Sequence, residues 1–430
     1  MNKIIFLSQL RYLYTVVIHL LVPFILLRLL LVSCKNPDYR KRWLERFGIV
    51  NWKNEKSVIW IHAVSVGEVN AAKPIVKKLS KKYPDFSILI TTVTPTGAAT
   101  VSQEYNKNIL NLYLPYDIPF CVNKFLQSVN PVVLITMETE IWPNLYHLCN
   151  EANIPVLIVN ARLSEKSTKG YKLISKLTSK TLQLVEEIAA QTKADADRFI
   201  MLGAKKENIS ISGNLKFDIE VQQSVKEEAE SLRHYFSISR PIWIAASTHE
   251  GEEEIILDAH RNVLSKYQDA ILILAPRHPE RIKRVVTLCK QGGFKFKRRT
   301  KEESFENENS VFLLDTLGEL KLYYAASEVA FVGGSLVKNG GQNMLEPASL
   351  NLPVITGPYT YNFREISELL FHEGALLLAQ NAKELSDRVI DLLSDANLRN
   401  SIGDSGETVI KANRGSSNKT FELIEKYLGN

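Results

Sequence analysis

From residue 57 onward, short apolar runs alternate with longer stretches of helical spacing. The runs fall at 58–64, 86–93, 109–114, 132–137, 156–159, 188–191 and 209–211, and they are rich in Val, Ile and Leu. Stretches such as 71–82 carry their apolar residues every three to four positions, which gathers them on one side of a helix. Apolar strands separated by amphipathic helices predict a doubly wound parallel sheet with helices on both faces. Residues 218–240 are charged, helical in spacing and without a strand, so the chain divides best there. A second series follows at 242–246, 271–275, 311–314, 329–332, 353–356 and 376–378. The pattern therefore predicts an α/β chain of two Rossmann-like domains, over 35–220 and 241–410, with a linker at 221–240 and a closing helix at 411–430. Ligands in such sheets bind beyond the carboxyl ends of the strands, and two such edges facing each other are expected to form one cleft.

The first 34 residues break this pattern. From Tyr12 to Leu27 no residue is charged, and past Arg28 the apolar run continues from Leu29 to Val32. With the Arg28 head reaching outward, the stretch attains the roughly 20 residues that a membrane span needs. His19, Pro23 and Arg28 weaken it as a span, and a helix lying in the interface competes. Lys35, Arg40, Lys41, Arg42 and Arg46 follow the stretch, whereas Lys3 and Arg11 precede it, a bias that puts the body in the cytoplasm. Leu31-Val-Ser-Cys34 has the form of a lipoprotein cleavage box, but Arg28 interrupts the apolar region beside it and argues against export.

Composition narrows the choice of partners. Of 430 residues, 45% are hydrophobic and 23% charged, ordinary values for globular domains. The net charge of +6 is too mild and too evenly spread to argue for nucleic acid, yet it suits an anionic substrate or an anionic membrane surface. Cys34, Cys121, Cys149 and Cys289 form no C-x-x-C pair and lie near no histidine cluster, so neither a metal site nor a disulfide framework is expected.

Polar peculiarities collect where the strands end. Gly333-Gly-Ser335, a second pair at Gly340-Gly341 and an expected helix start at Asn343-Met-Leu-Glu346 make a seat for a phosphate, with Glu346 placed to accept from two sugar hydroxyls. No dinucleotide fingerprint or P-loop is present. Ser65-Val-Gly-Glu68 reads as a capping box or as a general base, Glu68, close to a helix pole. Glu138 and Glu140 end another strand and would share a face if it continued. Lys216 stands at the expected hinge, where it could neutralise developing charge. Pro276-Arg277-His-Pro-Glu280 offers a planar fork for phosphate, or an Arg277–Glu280 pair. Asp315 or Thr316 is expected to cap a helix, and Ser247-Thr-His-Glu250 is a second S-x-x-E pattern. Asp195-Ala-Asp197 has the D-x-D form of metal-using glycosyltransferases, but on a helix its two carboxylates point apart.

Taken in order, His62-Ala-Val-Ser-Val-Gly-Glu68, Thr94-Pro-Thr-Gly97, Met137-Glu-Thr-Glu-Ile-Trp-Pro-Asn144, Asn160-Ala-Arg-Leu163, Gly213-Asn-Leu-Lys-Phe-Asp218, Ser247-Thr-His-Glu-Gly251, Pro276-Arg-His-Pro-Glu-Arg281, Phe331-Val-Gly-Gly-Ser335 and Asn343-Met-Leu-Glu346 resemble the 3-deoxy-D-manno-octulosonic acid (Kdo) transferases. The resemblance covers essentially the whole chain. It implies a GT-B type glycosyltransferase on the cytoplasmic side of a bacterial inner membrane, moving Kdo from CMP-Kdo to a lipid A precursor, with no cofactor and no metal. By the same resemblance Glu68 is the proton acceptor, Glu138 and Lys216 assist the transition state, and Pro276, Arg277, Leu317, Gly318, Glu319, Asn343, Met344, Leu345 and Glu346 hold CMP. Met344 departs from the proline expected there. A sugar-nucleotide epimerase of the same architecture and a non-catalytic, membrane-tethered nucleotide-sugar binder are the competing readings.

Overall fold

The computed structural model describes residues 2–52, 56–105, 109–219, 223–301 and 305–429. The side chains of residues 2–9 and 35 lie outside that description, and with them Lys3 and Lys35 of the charge bias; so do Val221 and Gln222, which open the expected linker. The described chain forms two compact units, one of residues 1–218 and 414–430, the other of 219–413.

The first unit is built on a seven-stranded parallel sheet: β1 (Val58–His62), β2 (Ser87–Thr92), β3 (Ile109–Tyr113), β4 (Pro131–Met137), β5 (Val156–Ala161), β6 (Glu187–Ala190) and β7 (Ile209–Ile211), in the order β3-β2-β1-β4-β5-β6-β7. Successive side chains of a strand face opposite ways. Trp60 and Leu134 accordingly pack with Phe125 on one side, while Ile59, Ile61 and Ile135 pack with Ile75 on the other. Burial on both sides is why these strands read as unbroken apolar runs. The order reverses between β1 and β4, which makes their carboxyl ends the switch point of the sheet. The last helix, Ser416–Glu425, buries Ile424 against the Ile59 side, and Asp218 accepts the Gly415 N–H at 2.7 Å, so the end of the chain completes the first unit.

The second unit repeats the plan with β8 (Ile242–Thr248), β9 (Ile271–Pro276), β10 (Phe296–Arg298), β11 (Val311–Leu313), β12 (Val329–Val332), β13 (Val354–Thr356) and β14 (Leu376–Leu378), ordered β10-β11-β9-β8-β12-β13-β14. Its switch point lies between β8 and β12. Much of the segment expected as a linker is the helix Gln223–Phe236, whose Phe236 ring meets Phe305 and Phe312, each at 5.0 Å. These are core contacts of the second unit.

The apolar N-terminus is one helix, Asn2–Lys35, and its segment Leu10–Cys34 is long and apolar enough to cross a membrane. The basic residues after it serve local structure. Arg42 forks onto Glu45 at 2.7 and 2.8 Å and reaches Asn111, Arg40 donates to Ser33, and Lys41 pairs with Asp38. Arg46 is buried, lies 4.2 Å over the Tyr113 ring and donates to the Val93 carbonyl.

Candidate active site

In the first unit, β1 runs through Ala63 and Val64 into the helix Val66–Lys82. Ser65 caps that helix, its Oγ accepting the Glu68 N–H at 3.4 Å. The Glu68 carboxylate turns back in return, accepting the Val64 N–H at 2.9 Å and the Ser65 hydroxyl at 2.9 Å. The capping-box reading of S-x-x-E is what the structure shows: Glu68 is held at its own helix start and is 8% exposed, not freely projecting. Burial pushes its carboxyl up to about 7, the charge of Glu138 pushes the same way, and the two donated hydrogen bonds oppose them. A glutamate at that value gains and loses a proton near neutral pH.

Glu138 follows β4 in a left-handed conformation, φ 57°, which is uncommon for a residue with a side chain. Its N–H still donates to Val159 at 3.0 Å, but the strand has ended at Met137, so Glu138 and Glu140 do not share a face. Glu138 stands 3.7 Å from the Lys216 ammonium, both side chains about a fifth exposed, 23% and 22%. Glu140 stands 3.7 Å from Nε2 of the buried His62 and accepts the Trp142 indole N–H at 2.7 Å. The sheet edge thereby brings Glu68, Glu138 and Lys216 into one electrostatic group.

Asn160, at the end of β5, was not foreseen as a positioning residue. It is fully buried with φ 51°, and its Oδ1 accepts the Leu215 N–H at 3.0 Å, fixing the turn that presents Lys216. Asn214 accepts the Lys216 N–H at 3.0 Å from the other side. An asparagine at a strand end, the residue type that tolerates left-handed backbone, was the signal available.

The switch point of the second unit is organised around Glu252, which sequence reasoning passed over. This fully buried carboxylate accepts four backbone N–H groups: His249 at 2.8 Å, Gly334 at 2.6 Å, Ser335 at 2.9 Å and Leu336 at 2.8 Å. The amides after β12 that were expected to seat a phosphate are therefore already filled by a side chain. A β-carbon on Gly333 would come within 2.8 Å of the Ser247 carbonyl, which is why the loop needs glycine there. Gly251, not Ser247, caps the helix Glu252–Lys266, so the S-x-x-E at 247–250 is not a cap.

Around this clamp the surroundings are cationic. Arg277 is exposed just past β9, its backbone N–H on Thr248 at 2.9 Å; among the described residues its guanidinium has no ion pair. Glu280 pairs with His278 instead, and Arg281 is the structural arginine, forked onto the buried Glu253 at 2.7 and 3.1 Å. Burial, followed by the charges of His278, Arg277 and Arg281, holds His249 below the usual histidine range. Pro276 is buried and ends β9.

The expected helix start at Asn343 is a single short turn, Leu345–Ala348. Met344 and Leu345 are fully buried, so only their backbone is available to a ligand. Asn343 accepts the Leu345 N–H at 3.1 Å and donates to Glu346 at 3.2 Å, which orients that carboxylate. Leu317 is 68% exposed and Gly318 has open space around it, while Glu319 is forked by Arg299 at 3.1 and 2.9 Å. Asp315 does not cap a helix. It binds Arg298 at 2.7 and 2.9 Å and Thr300 at 2.7 and 3.0 Å, and Thr316 bonds to Glu319. Asp195 accepts the Leu163 N–H at 2.9 Å and Thr192 caps its helix, a structural use of the D-x-D residues.

Residues 41–219 match the family model described as 3-deoxy-D-manno-octulosonic-acid transferase, and residues 239–409 match that of glycosyl transferases group 1. A 3-deoxy-D-manno-octulosonic acid transferase of Haemophilus influenzae is 42% identical over 421 residues, 97% of this chain and 99% of that one. Among solved structures, a glycosyltransferase from Rickettsia africae superposes with a TM-score of 0.55 at 14% identity, covering 88% of this chain and 100% of that one. The UDP-GlcNAc 2-epimerase of Neisseria meningitidis does so with a TM-score of 0.55 at 14% identity, over 86% and 99%. At such identity the two structures share the fold alone.

Proposed function

The chain belongs to the Kdo transferase family and is a glycosyltransferase, and on that premise we propose that it moves Kdo from CMP-Kdo to a lipid A precursor, lipid IVA, at the cytoplasmic face of the inner membrane. The observation that carries the mechanism is Glu68: a buried carboxylate at a sheet switch point, held by two hydrogen bonds and pushed up to about 7 beside Glu138. Glu68 takes the proton from an acceptor sugar hydroxyl as that oxygen attacks the anomeric carbon of Kdo. The bond to the CMP phosphate oxygen breaks in the same displacement, with inversion.

CMP leaves with one phosphate, so the negative charge to be stabilised is small. The Arg277 fork suits that phosphate, and Lys216, held by Glu138, neutralises charge developing at the reacting centre. The reaction proposed is therefore metal-independent and needs no cofactor. Pro276, the open loop at Leu317, Gly318 and Glu319, and the backbone of Asn343, Met344 and Leu345 line the CMP seat, with Glu346 accepting from ribose hydroxyls. The cytoplasmic assignment is supported by the basic residues that follow the apolar helix and by the cytosolic origin of a CMP-sugar.

Incubating the full-length chain with CMP-Kdo and lipid IVA tests the reading. Expected are a Kdo-bearing lipid and CMP in equal amounts, undiminished by EDTA, with Glu68→Gln nearly inactive. A free Kdo epimer without lipid product would favour the epimerase, and CMP binding without turnover the binder.

A further inference from the structure

We infer that the apolar N-terminal helix lies flat in one leaflet, as an in-plane anchor, and does not cross the bilayer. Near the start, the Tyr14 hydroxyl donates to Asp117 at 2.8 Å and the Thr15 hydroxyl to Asn144 at 3.0 Å. Both acceptors belong to the frame of the first unit: Asp117 accepts the Asn144 and Leu145 N–H groups at 3.1 and 2.7 Å, at the start of the helix Pro143–Glu151. Beyond the other end, the turn Trp43–Phe47 is tied to the residue next to Asp117, the Tyr116 N–H donating to the Arg46 carbonyl at 2.8 Å. Glu45 accepts the Tyr113 N–H at 2.9 Å. The chain thus leaves the body beside Asp117 and returns to it beside Tyr116.

A crossing helix cannot satisfy both attachments. Cys34 lies 20 residues beyond Tyr14, about 30 Å along a helix and the full thickness of the hydrocarbon. With the body on the Cys34 side, Tyr14 and Thr15 would sit at the far leaflet, out of reach of Asp117 and Asn144.

The pattern of exposure along the helix agrees. Tyr14, Ile18, Val22, Ile25, Leu29 and Val32 are partly covered, a stripe with the 3.6-residue period, and Ser33 is buried. Leu20 at 67%, Phe24 at 68% and Leu31 at 64% lie on the opposite side and are open. Residues of one type, Leu29 and Leu30, differ only in the side they face. A helix surrounded evenly by lipid has no such stripe, and here it runs from Tyr14, which donates to Asp117, to Ser33, which accepts from Arg40. Its open face fits the acyl boundary of a leaflet, and Arg28, exposed among leucines, reaches the phosphate layer directly from an in-plane helix but would sit at hydrocarbon depth in a span.

The test uses the full chain in vesicles of phosphatidylethanolamine and phosphatidylglycerol. Spin labels are placed one at a time by Leu13→Cys, Leu20→Cys and Leu31→Cys in a Cys34→Ser background, the other cysteines being buried. Depth is read from collision with oxygen against a water-soluble nickel complex. An in-plane helix gives the same shallow depth at all three positions. A depth that peaks at Leu20 would overturn the inference, as would three labels open to water. An epitope ahead of residue 1 supplies a second reading that needs no activity: it should be reached by antibody only in everted vesicles, together with the body, and reaction in spheroplasts would refute the in-plane placement.

Discussion

The two units place a glutamate at the same point of the same plan and use it in opposite ways. Each glutamate sits in the first turn of the helix that follows the strand at the switch point, β1 or β8, and each turns its carboxylate back toward that strand end. Glu252 receives four N–H groups, which oppose the upward push that burial gives its carboxyl, and it clamps the loop after β12. Glu68 receives one N–H and one hydroxyl and faces Glu138, with Glu140 adding a smaller repulsion. A buried carboxylate met by four amides holds structure, and one met by two donors and crowded by like charge is ready to take a proton.

That contrast is broken most sharply by exchanging the acids. Glu68→Gln keeps an oxygen to accept the Val64 N–H but cannot take a proton, so turnover should fall by about 10²- to 10⁴-fold, with the KM for donor little changed in steady-state assays. Glu252→Ala should act on stability, since four buried N–H groups lose their acceptor; a loss of roughly 3–5 kcal/mol by thermal unfolding is expected. If Glu252→Ala instead left a stable, inactive protein, the two glutamates would not differ as argued.

Protonation sharpens the comparison. The folded Glu68 carboxyl lies at about 7 against 4.5 in the unfolded chain, so its contribution is present below pH 4.5 and is lost as pH rises through 7. Glu68→Gln should therefore gain stability over the parent between pH 5 and 8, on the order of 2–3 kcal/mol, read as a growing difference in Tm. Arg277→Ala should weaken CMP binding about tenfold in calorimetry and leave Tm unchanged, because this guanidinium has no ion pair among the described residues. Asp197→Asn, an exposed change in the D-x-D, should alter neither activity nor stability by more than about 0.5 kcal/mol.

The strands were legible because most are buried on both sides, which leaves few polar interruptions in runs such as Val58–His62 or Ile271–Pro276. β10 was not, being three residues long with two of them basic. Helical spacing announced Ser416–Glu425 but not which core it completes, since an amphipathic face carries no address. At the site, the strand-end acids Glu68 and Glu138 stood out, while Glu252 hid among three consecutive glutamates that look like ordinary partners of a helix pole. The glycine loop was legible as an anion seat and illegible as to its occupant, because backbone N–H groups that suit a phosphate suit a carboxylate equally.

In the proposed mechanism Glu68 is the group that must lose a proton for transfer to proceed. The pH dependence of single-turnover Kdo transfer, followed in the parent chain and in Glu68→Gln, tests this most directly. The parent rate should rise with an acid limb near 7, and the residual rate of Glu68→Gln should be low and flat through that range. An unchanged limb and a rate close to the parent's in Glu68→Gln would contradict it.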